Sequence, residues 1–557
     1  MADKPVSFLS SLFKLNKILL LDRREIAVTY VFALLAGLVQ LSLPLGIQSI
    51  ISYVMAGSIS TSIIVLISLV VSGVFINGLL QVRQLQIIEK VKQKLFVRYS
   101  LEYSYRLPRL NIEKLDNVYL PETVNRYFDS ISLQKGIDKL LVDLPAALIQ
   151  VFLGLVLLAF YHPMFIVFGL VLILIVFTII RLTSGRGLQT ALHASSFKYS
   201  VAAWLQETAR TIKTFKYTKG TSLHLKKTDS LVSAYLESRT SHFKILLTQF
   251  WSLVSFKVVI TAAMLILGSY LLVTQQINVG QFIASDIVII AIIGSIEKLI
   301  TNLDAVYDGL VSVEKLSVIT DAEMEQGGSF ELESRKEGVT IDFQDVSFAY
   351  TSHLPVLDHI SFHIPSGSFV QIKGRSGSGK STLLRLLTGA YVNVSGTILV
   401  DQLPITNYNI ESLRLHTGIL LGNQDIFMGT LWENLTLGNP DASLSEVTTL
   451  CQQIGLDSFI QSSKNGFDTV LLPTGNKLSG TVRKNILLVR ALLGKHRLLL
   501  LEEPFEHLEH PYQSAILQHI KQSISATILI ASSSDTVSPY CDQVIDLEQG
   551  TSFKTNN

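Results

Sequence analysis

The stretch GRSGSGKS, at residues 374–381, is the most informative part of this 557-residue chain. It fits the pattern G-x-x-x-x-G-K-S/T, in which glycines let successive backbone N–H groups turn inward and cradle phosphate oxygens. In this pattern we expect Lys380 to reach the β- and γ-phosphates of a nucleotide and the Ser381 hydroxyl to bind Mg²⁺. The stretch therefore predicts a phosphate-binding loop.

The sequence on either side of this loop supports the prediction. Residues 368–372, SFVQI, alternate as a strand does, and residues 381–387, STLLRLL, have the pattern of a helix. A glycine-rich loop that arose by chance would lack this context, so we favour a P-loop. Strand-like segments alternate with helical ones from residue 339 onward, which predicts an α/β nucleotide-binding domain over residues 339–557.

The composition indicates a membrane protein with a soluble part. Hydrophobic residues make up 48% of the chain, charged residues only 16%, and the mean hydropathy is +0.41. The net charge of +2 gives no reason to expect a nucleic-acid partner. The two cysteines, Cys451 and Cys541, have neither metal-ligand spacing nor the pattern of a disulfide framework. We expect buried thiols in a reducing compartment.

Residues 1–24 are predicted to form an amphipathic helix on the membrane surface rather than a cleavable signal. Four apolar residues recur there at helical spacing, with basic residues between them. The apolar residues are Phe8, Leu9, Leu12 and Phe13.

Apolar stretches long enough to cross a bilayer recur six times within the predicted transmembrane domain, residues 25–322. They cover residues 27–52, 61–82, 138–161, 163–183, 245–273 and 279–303. The short links between paired spans carry no Lys or Arg, whereas the two long connections are rich in both. The positive-inside rule therefore predicts that the long connections and both termini lie in the cytosol. The long connections are helical in pattern, and we expect each to end in a short surface helix.

The composition changes around residues 323–338, where a glycine pair and a charged run predict a linker between the two domains. Ionisable residues within the spans are candidates for function or for buried pairing. Lys257 and Glu297 lie at similar distances from the tip of the last hairpin, so we expect an ion pair. Asp286 is closer to the tip and is expected either to line a cavity or to bond a neighbouring helix.

Several motifs together resemble those of a half-transporter of the ATP-binding cassette (ABC) exporter family. Tyr350 lies at the position of the aromatic residue that stacks on adenine, although an ordinary strand tyrosine is the alternative. FMGTLWENL at residues 427–435 resembles an exporter segment, and LSGTV at 478–482 stands where the family has its LSGGQ signature. LLLLEE at 498–503 resembles the Walker B strand with its terminal carboxylates.

The resemblance implies an α-helical six-span transmembrane domain followed by an α/β P-loop NTPase domain, and it assigns roles to individual residues. Glu503 is the expected general base that polarises the attacking water. Ser381 and Glu502 are the expected Mg²⁺ ligands, with Gln424 as a further candidate if its loop shifts. Leu478, Ser479 and Gly480 are expected to contact the nucleotide of a partner subunit. The expected ATP-binding residues are Tyr350, Gly374, Arg375, Ser376, Gly377, Ser378, Gly379, Lys380, Ser381 and Thr382.

The chain also departs from the family pattern at positions that matter for hydrolysis. Glu502 replaces the Walker B aspartate, and Ser532 replaces the switch histidine. In the signature, Thr481 replaces the second glycine and Val482 replaces the glutamine. Gly422 replaces the Q-loop glutamine. Nucleotide binding is therefore expected to be intact, while hydrolysis is expected to be slow or dependent on a partner subunit.

The sequence is compatible with two hypotheses about the function. The first is an ATP-dependent exporter subunit that works as a dimer by alternating access in the bacterial plasma membrane. The second is a catalytically weak regulatory or structural subunit of a heteromeric transporter. A soluble P-loop kinase with a membrane anchor is disfavoured by the signature-like site. The segment from Leu41 to Met55 and the layout loosely resemble the type I secretion and peptide-exporter branch, and the substrate is left open.

Overall fold

The computed structural model describes residues 8–55, 61–115, 119–218, 220–350, 355–506, 508, 510–548 and 551–554. The chain divides into two units, each with its own internal contacts. The first unit comprises Met1–Arg109 and Asn117–Ala322, and the second comprises Leu110–Asp116 and Glu323–Asn557. The second unit is therefore discontinuous in sequence.

Helices make up the described part of the first unit. In chain order they are α1 (Phe8–Leu19), α2 (Arg23–Gln40), α3 (Ser42–Met55), α4 (Thr61–Arg106), α5 (Ile112–Leu115, which belongs to the second unit), α6 (Leu120–Asn125), α7 (Asp129–Asp138), α8 (Leu144–Tyr161), α9 (Met164–Arg210), α10 (Ile212–Tyr217), α11 (Leu223–Val273), α12 (Val279–Thr301) and α13 (Leu303–Thr320).

Six helical segments of the described chain are long and apolar enough to cross a membrane, which confirms the predicted number of spans. They are Ser10–Met55, Thr61–Arg109, Leu120–Tyr161, Met164–Arg210, Leu223–Val273 and Val279–Thr320. Most of them extend far beyond the predicted apolar stretches, as the helical pattern of the long connections indicated. Short helices follow in each connection, α5 and α6 in the first and α10 in the second.

The first predicted span is divided into two helices rather than one. Helix α2 ends at Gln40 and α3 begins at Ser42. Pro44 explains the break, because proline has no N–H to donate to the carbonyl of the residue four positions earlier, which is Gln40. The predicted ion pair in the last hairpin is present, with Lys257 Nζ 2.7 Å from Glu297 Oε1.

The amphipathic helix α1 packs against α13 through two polar residues as well as apolar ones. Lys14 Nζ and Ser11 Oγ both lie 2.8 Å from the carboxylate of Glu314. Leu15 and Leu19 are buried, whereas Phe13, which we predicted on the apolar face, is 72% exposed. Phe13 is therefore free to face a membrane, as the prediction of a surface helix requires, while Leu15 and Leu19 pack against the protein.

Helices α7 and α13 approach each other closely at a pair of glycines. A Cβ atom added to Gly136 would lie 3.1 Å from the Cα of Gly309 and 3.2 Å from the carbonyl oxygen of Ala305. Small residues at such a crossing allow two helix backbones to come together. The glycine pair thus fixes the distance between these two helices.

The second unit is an α/β domain. After α5 its elements are β1 (Ile341–Phe348), β2 (Leu357–Ile364), β3 (Phe369–Lys373), α14 (Lys380–Leu386), β4 (Ser395–Val400), β5 (Leu403–Pro404), α15 (Ile410–Leu415), β6 (Thr417–Leu420), β7 (Gly429–Thr430), α16 (Leu431–Thr436), α17 (Leu444–Ile454), α18 (Asp457–Ser462), β8 (Val470–Leu471), α19 (Gly480–Leu492), β9 (Leu498–Glu502), α20 (His510–Ser523), β10 (Thr527–Ala531), β11 (Gln543–Asp546) and β12 (Thr551–Lys554).

Two larger sheets and one β-ribbon organise these strands. The six-stranded sheet has the order β12-β11-β3-β10-β9-β6 and is parallel except for β12, which is antiparallel to β11. The four-stranded sheet, in the order β2-β1-β4-β5, is antiparallel. The four leucines of β9 are fully buried between β10 and β6, which confirms the predicted buried parallel strand.

The segment 323–338 is packed against the second unit along much of its length. Arg414 forms an ion pair of 2.6 Å with Glu325, and Arg497 donates to the carbonyl oxygens of Glu337 and Gly338 at 3.0 and 2.8 Å. Arg497 is itself buried and pairs with Asp401 at 2.8 Å. The segment that the composition marks as a linker is therefore held by side chains of the second unit.

Candidate nucleotide-binding site

The P-loop connects the end of β3 to the start of α14, as the sequence predicts. Gly374 and Gly379 adopt positive φ angles of 146° and 93°. A Cβ at Gly379 would lie 2.9 Å from the carbonyl oxygen of Val356, and one at Gly374 would lie 2.4 Å from Ser378 Oγ. Because any other residue would be strained and crowded there, both positions require glycine.

Lys380 closes the loop on itself. Its Nζ donates to the carbonyl oxygens of Gly374 and Arg375 at 2.6 and 2.9 Å. The hydroxyl of Ser378 is buried and has no hydrogen-bond partner in the described part of the chain. A preformed loop with an ammonium group across it and an unpaired hydroxyl within it suits an anionic, oxygen-rich ligand.

Glu502, at the end of β9, links the P-loop helix to the loop after β6. Ser381 Oγ donates to its Oε1 at 2.5 Å, and the Gly422 amide donates to its Oε2 at 2.7 Å. The two predicted Mg²⁺ ligands are therefore in contact and present only oxygen donors, which Mg²⁺ prefers. The described residues contain no group of three or more His, Cys, Asp and Glu side chains that could hold a metal alone. Phosphate and water oxygens would have to complete an Mg²⁺ site here.

Glu503 follows directly and has a strained backbone, with a φ angle of 40°. Its amide donates to the carbonyl oxygen of Ala531 at 2.9 Å. Its carboxylate accepts a 2.9 Å hydrogen bond from Ser532 Oγ and a 3.2 Å hydrogen bond from the Ser533 amide. Both oxygens of the candidate general base are thus engaged by the segment after β10.

These groups line one cavity of about 670 Å³. Its walls are the P-loop, the first residues of α14, the carboxylates that end β9, and the serines that follow β10. The parallel strands β3, β9 and β10 all end at this cavity, which is where ligands of open α/β sheets bind. The lining residues with polar side chains are Arg375, Ser376, Lys380, Ser381, Thr382, Glu502, Glu503, Glu506, Gln513, Ser532, Ser533 and Ser534.

Tyr350 lies near the start of α14 and is 40% exposed. Its hydroxyl is 3.2 Å from both Thr382 Oγ1 and Arg385 Nη1. Its ring meets Phe348 and Tyr391 edge-on, with centroid distances of 5.0 and 5.5 Å. The polar end of Tyr350 is therefore fixed to the P-loop helix while part of its surface stays accessible.

Tyr350 and Ser378 are not among the described residues that line the cavity, and neither are the remaining predicted residues. Gln424 accepts a 3.4 Å hydrogen bond from the Leu421 amide, within its own loop. Gly422, two residues earlier, supplies the amide that binds Glu502. Ser479 caps α19 by accepting a 3.2 Å hydrogen bond from the Val482 amide, with Gly480 as the first helical residue and Leu478 just before the cap. Their expected role toward a partner's nucleotide stays a prediction.

Sequence reasoning missed two contacts that shape the site. Glu548 accepts a 2.6 Å hydrogen bond from the Arg375 amide, and its second oxygen lies 3.3 Å from Arg375 Nε. Arg490 is half-buried and donates at 2.8 Å to the carbonyl oxygen of Asn434, joining α19 to the exporter-like segment at α16. Burial lowers the pKa of Arg490. Residues 490–493, RALL, match a motif of the ABC exporter family and were a usable signal for Arg490, whereas the pattern around Glu548 offered none.

Comparison with known proteins gives a consistent set of similarities. Residues 357–506 match the family described as ABC transporter. The chain is 30% identical over 307 residues to the uncharacterized ABC transporter ATP-binding protein YknV of Bacillus subtilis, covering 53% of this chain and 50% of that protein. It is 27% identical over 354 residues to the alpha-hemolysin translocation ATP-binding protein HlyB of Escherichia coli O157:H7, covering 62% and 49%.

A further relative is the ATP-dependent lipid A-core flippase of Legionella pneumophila, 30% identical over 298 residues, covering 53% of this chain and 50% of that protein. The chain spans about half the length of the curated relatives it matches. Among solved structures, a bacterial Atm1-family ABC exporter with ATP bound is similar with a TM-score of 0.84 at 20% identity, covering 95% of this chain and 94% of that one. This last similarity establishes the fold.

Proposed function

Because the chain has the architecture of an ABC exporter half-transporter, we propose that it is a membrane subunit that couples ATP binding and hydrolysis to export. The observation that carries this proposal is the contact between Ser381 and Glu502 at the mouth of the P-loop cavity. This contact supports the proposal because two oxygen ligands beside a glycine-rich loop are what nucleoside triphosphate chemistry requires.

In the proposed site the P-loop amides and Lys380 hold the phosphates, and Tyr350 offers its ring to the adenine base. Ser381 and Glu502 would hold Mg²⁺, with Gln424 able to join only if its loop moves. Mg²⁺ would supply charge neutralisation for the phosphate oxygens. Release of Lys380 from the carbonyl oxygens of Gly374 and Arg375 would accompany phosphate binding, because the ammonium group can then donate to phosphate oxygens instead.

Glu503 is the proposed general base, and its contacts restrict how it can orient a water molecule. Ser532 Oγ and the Ser533 amide each donate one hydrogen bond to its carboxylate, which leaves one lone pair on each oxygen for water. A serine at position 532 also has a shorter reach than a histidine. This arrangement supports the second candidate function, a catalytically weak ATP-binding subunit of a heteromeric transporter.

The proposed assembly is a dimer, formed with a second copy or with a half-transporter that has complete motifs. Leu478, Ser479 and Gly480 would then meet the nucleotide held by the partner, and closure of the two sites would drive alternating access of the membrane domain. The names of two relatives point to a protein cargo and a lipid cargo respectively, so both classes are candidates here. We place the protein in a bacterial plasma membrane with both termini in the cytosol.

The test is an ATPase assay on the purified full chain in lipid nanodiscs, with Glu503→Gln as the paired variant. Magnesium-dependent turnover that this substitution removes supports the exporter function. ATP binding without turnover, together with turnover that appears only when a second half-transporter is added, supports the weak-subunit alternative. Absence of ATP binding at millimolar nucleotide would contradict both.

A further inference from the structure

A second cavity, of about 200 Å³, lies within the first unit among helices α7, α9, α11 and α13. It is separate in sequence from the nucleotide site and uses none of its residues. The residues of α9 that line it begin at Ala191, beyond the predicted span that ends at residue 183. The polar lining residues that matter below are Asp129, Ser195, Lys198, Arg239 and Asp308.

The floor of this cavity carries buried polar atoms without partners. Asp129 is 4% exposed, and its Oδ2 has no hydrogen-bond partner within 3.5 Å in the described chain, although the Tyr199 hydroxyl interacts with the same carboxylate. Its other oxygen lies 3.4 Å from Lys198 Nζ. Ser195, which is 9% exposed, also has a hydroxyl without a partner among the described residues. Leaving such groups unpaired is costly, so a donor that enters the cavity and satisfies them gains binding free energy.

The mouth of the cavity carries two cations and one carboxylate. Lys198, Arg239 and Asp308 are exposed there, and the two cations and two carboxylates of the lining balance. Within the described ranges Arg239 forms no ion pair shorter than 4.0 Å. The cavity therefore presents a buried carboxylate at its floor and an available guanidinium group at its rim.

We infer that this cavity binds a small zwitterion of the α-amino-acid type. Its ammonium group would donate to Asp129 Oδ2 and Ser195 Oγ, and its carboxylate would accept from Arg239. A simple anion would meet the carboxylate of Asp129, and a metal ion would leave the guanidinium group of Arg239 without a counter-charge, so neither matches both ends of the cavity as well. Small side chains at Ala191 and Ala194 leave room for a ligand of only a few heavy atoms.

The inference can be tested by calorimetric titration of the nucleotide-free full chain in lipid nanodiscs with three probes. They are L-alanine, which has both charges, ethylamine, which has only the ammonium group, and propionate, which has only the carboxylate. We expect L-alanine to bind most tightly. Asp129→Asn should weaken its binding about tenfold to a hundredfold, the usual range for one charge-assisted hydrogen bond. Arg239→Gln should weaken the binding of L-alanine but leave the affinity for ethylamine unchanged.

Matched variants separate binding from folding. Asp138→Asn removes another carboxylate from α7, one that pairs with Lys92 at 3.1 Å outside the cavity, and it should leave L-alanine binding intact. Ala194→Leu fills the cavity without changing its charge and should abolish binding, which keeps the inference testable if Asp129→Asn fails to fold. No binding of L-alanine at tens of millimolar overturns the inference. So does equal binding by the wild type and Ala194→Leu, or binding of propionate or ethylamine as tight as that of L-alanine.

Discussion

Ser532 Oγ donates a 2.9 Å hydrogen bond to Oε2 of Glu503, and this contact holds the proposed general base against the end of β10. The neighbouring Ser533 amide binds the other oxygen at 3.2 Å. Each oxygen of Glu503 therefore keeps one lone pair with which it can orient a water molecule, in a direction set by these two bonds. The chemistry of the site is therefore coupled to the loop that follows β10.

We expect the purified homodimer to hydrolyse ATP slowly. Combining Glu502→Asp, Thr481→Gly, Val482→Gln and Ser532→His should raise turnover by about 10²- to 10³-fold, because recovery of one well-placed transition-state contact is typically worth that much. Steady-state phosphate release measures the effect. Single reversions are expected to do little, since residues that act as a unit are not additive.

The opposite result would be a fast wild-type homodimer that loses its activity on Glu503→Gln. The Glu503 carboxylate would then suffice despite its bonds to Ser532 and Ser533, and the partner-dependent function would be wrong.

Nucleotide affinity should depend on Lys380 and Tyr350. Lys380→Ala should weaken Mg-ATP binding by about tenfold to a hundredfold through loss of a charge-assisted hydrogen bond. Tyr350→Ala should cost about 1–3 kcal/mol of binding free energy through loss of base stacking. Fluorescent-nucleotide titration is the measurement, and Lys464→Ala, an exposed lysine outside the cavity, is the control. If both site variants bound Mg-ATP with unchanged affinity, the assignment of Lys380 and Tyr350 as nucleotide-binding residues would be wrong.

The membrane topology can be mapped by cysteine labelling in intact cells. Cysteines at His162 and Asn278 should react with a membrane-impermeant maleimide, and one at Arg109 should not. A third expected outside position, Gly57, lies beyond the described residues. The native Cys451 and Cys541 are buried, and burial raises the pKa of each thiol to about 12, so their background reaction should be small. Labelling of Arg109→Cys from outside would refute the orientation.

Gly136→Ala should destabilise the first unit. Its new methyl group would press on the backbone of Gly309 and Ala305, and overpacking of this kind costs about 1–3 kcal/mol. Gly294→Ala on α12 is the matched control, because a Cβ added at Gly294 would meet no neighbouring atom within 4 Å and no loss is expected. The apparent Tm in nanodiscs gives the comparison, and an equal Tm for the two variants would show that the glycine crossing is not tight.

The stability of the second unit should fall in mild acid because of His496. Burial lowers the pKa of His496, and its Nε2 lies 2.9 Å from the carbonyl oxygen of Leu493. The unfolded chain takes up a proton near the ordinary pKa of about 6.5 while the folded chain does not, so stability present above that pH is lost below it. The loss from this residue is at most about 1.4 kcal/mol at pH of about 5.5.

The measurement is the change in Tm between pH of about 7.5 and about 5.5 for the wild type and His496→Gln. The variant should lose less stability on acidification. His359, whose pKa is raised by its hydrogen bond to Asp345, acts in the opposite direction but is present in both proteins and cancels. An identical acid shift in the two proteins would exclude His496 as a contributor.

Local patterns account for the parts of the structure that could be predicted. The P-loop, the buried leucine strand β9 and the long apolar helices each depend on residues close together in sequence, and each is present. The break before Pro44 was also readable from the sequence but was missed, because hydropathy averaged over the span concealed it.

Contacts between distant segments were not predictable in this way. Glu548 reaches Arg375 only because β11 lies beside β3 in the sheet, and strand order is a tertiary property. The bond from Ser532 to Glu503 likewise depends on the register of β10 against β9. The cavity around Asp129 needs four helices to meet, and none of them carries a recognisable motif.

The discontinuity of the second unit has a consequence for how the chain acquires its structure. Leu110 is buried and pairs with Met324, and the Asn111 amide donates at 3.1 Å to the carbonyl oxygen of Glu323. During synthesis the ribosome releases Leu110–Asp116 long before the residues that receive it, since chains emerge from the N-terminus first. The second unit can therefore complete its fold only after the residues from Glu323 onward have been synthesised. Leu110–Asp116 must stay close enough to join them. If residues 323–557 were expressed alone, the backbone of Glu323 and Met324 would lack these partners. It would be open to association with other molecules.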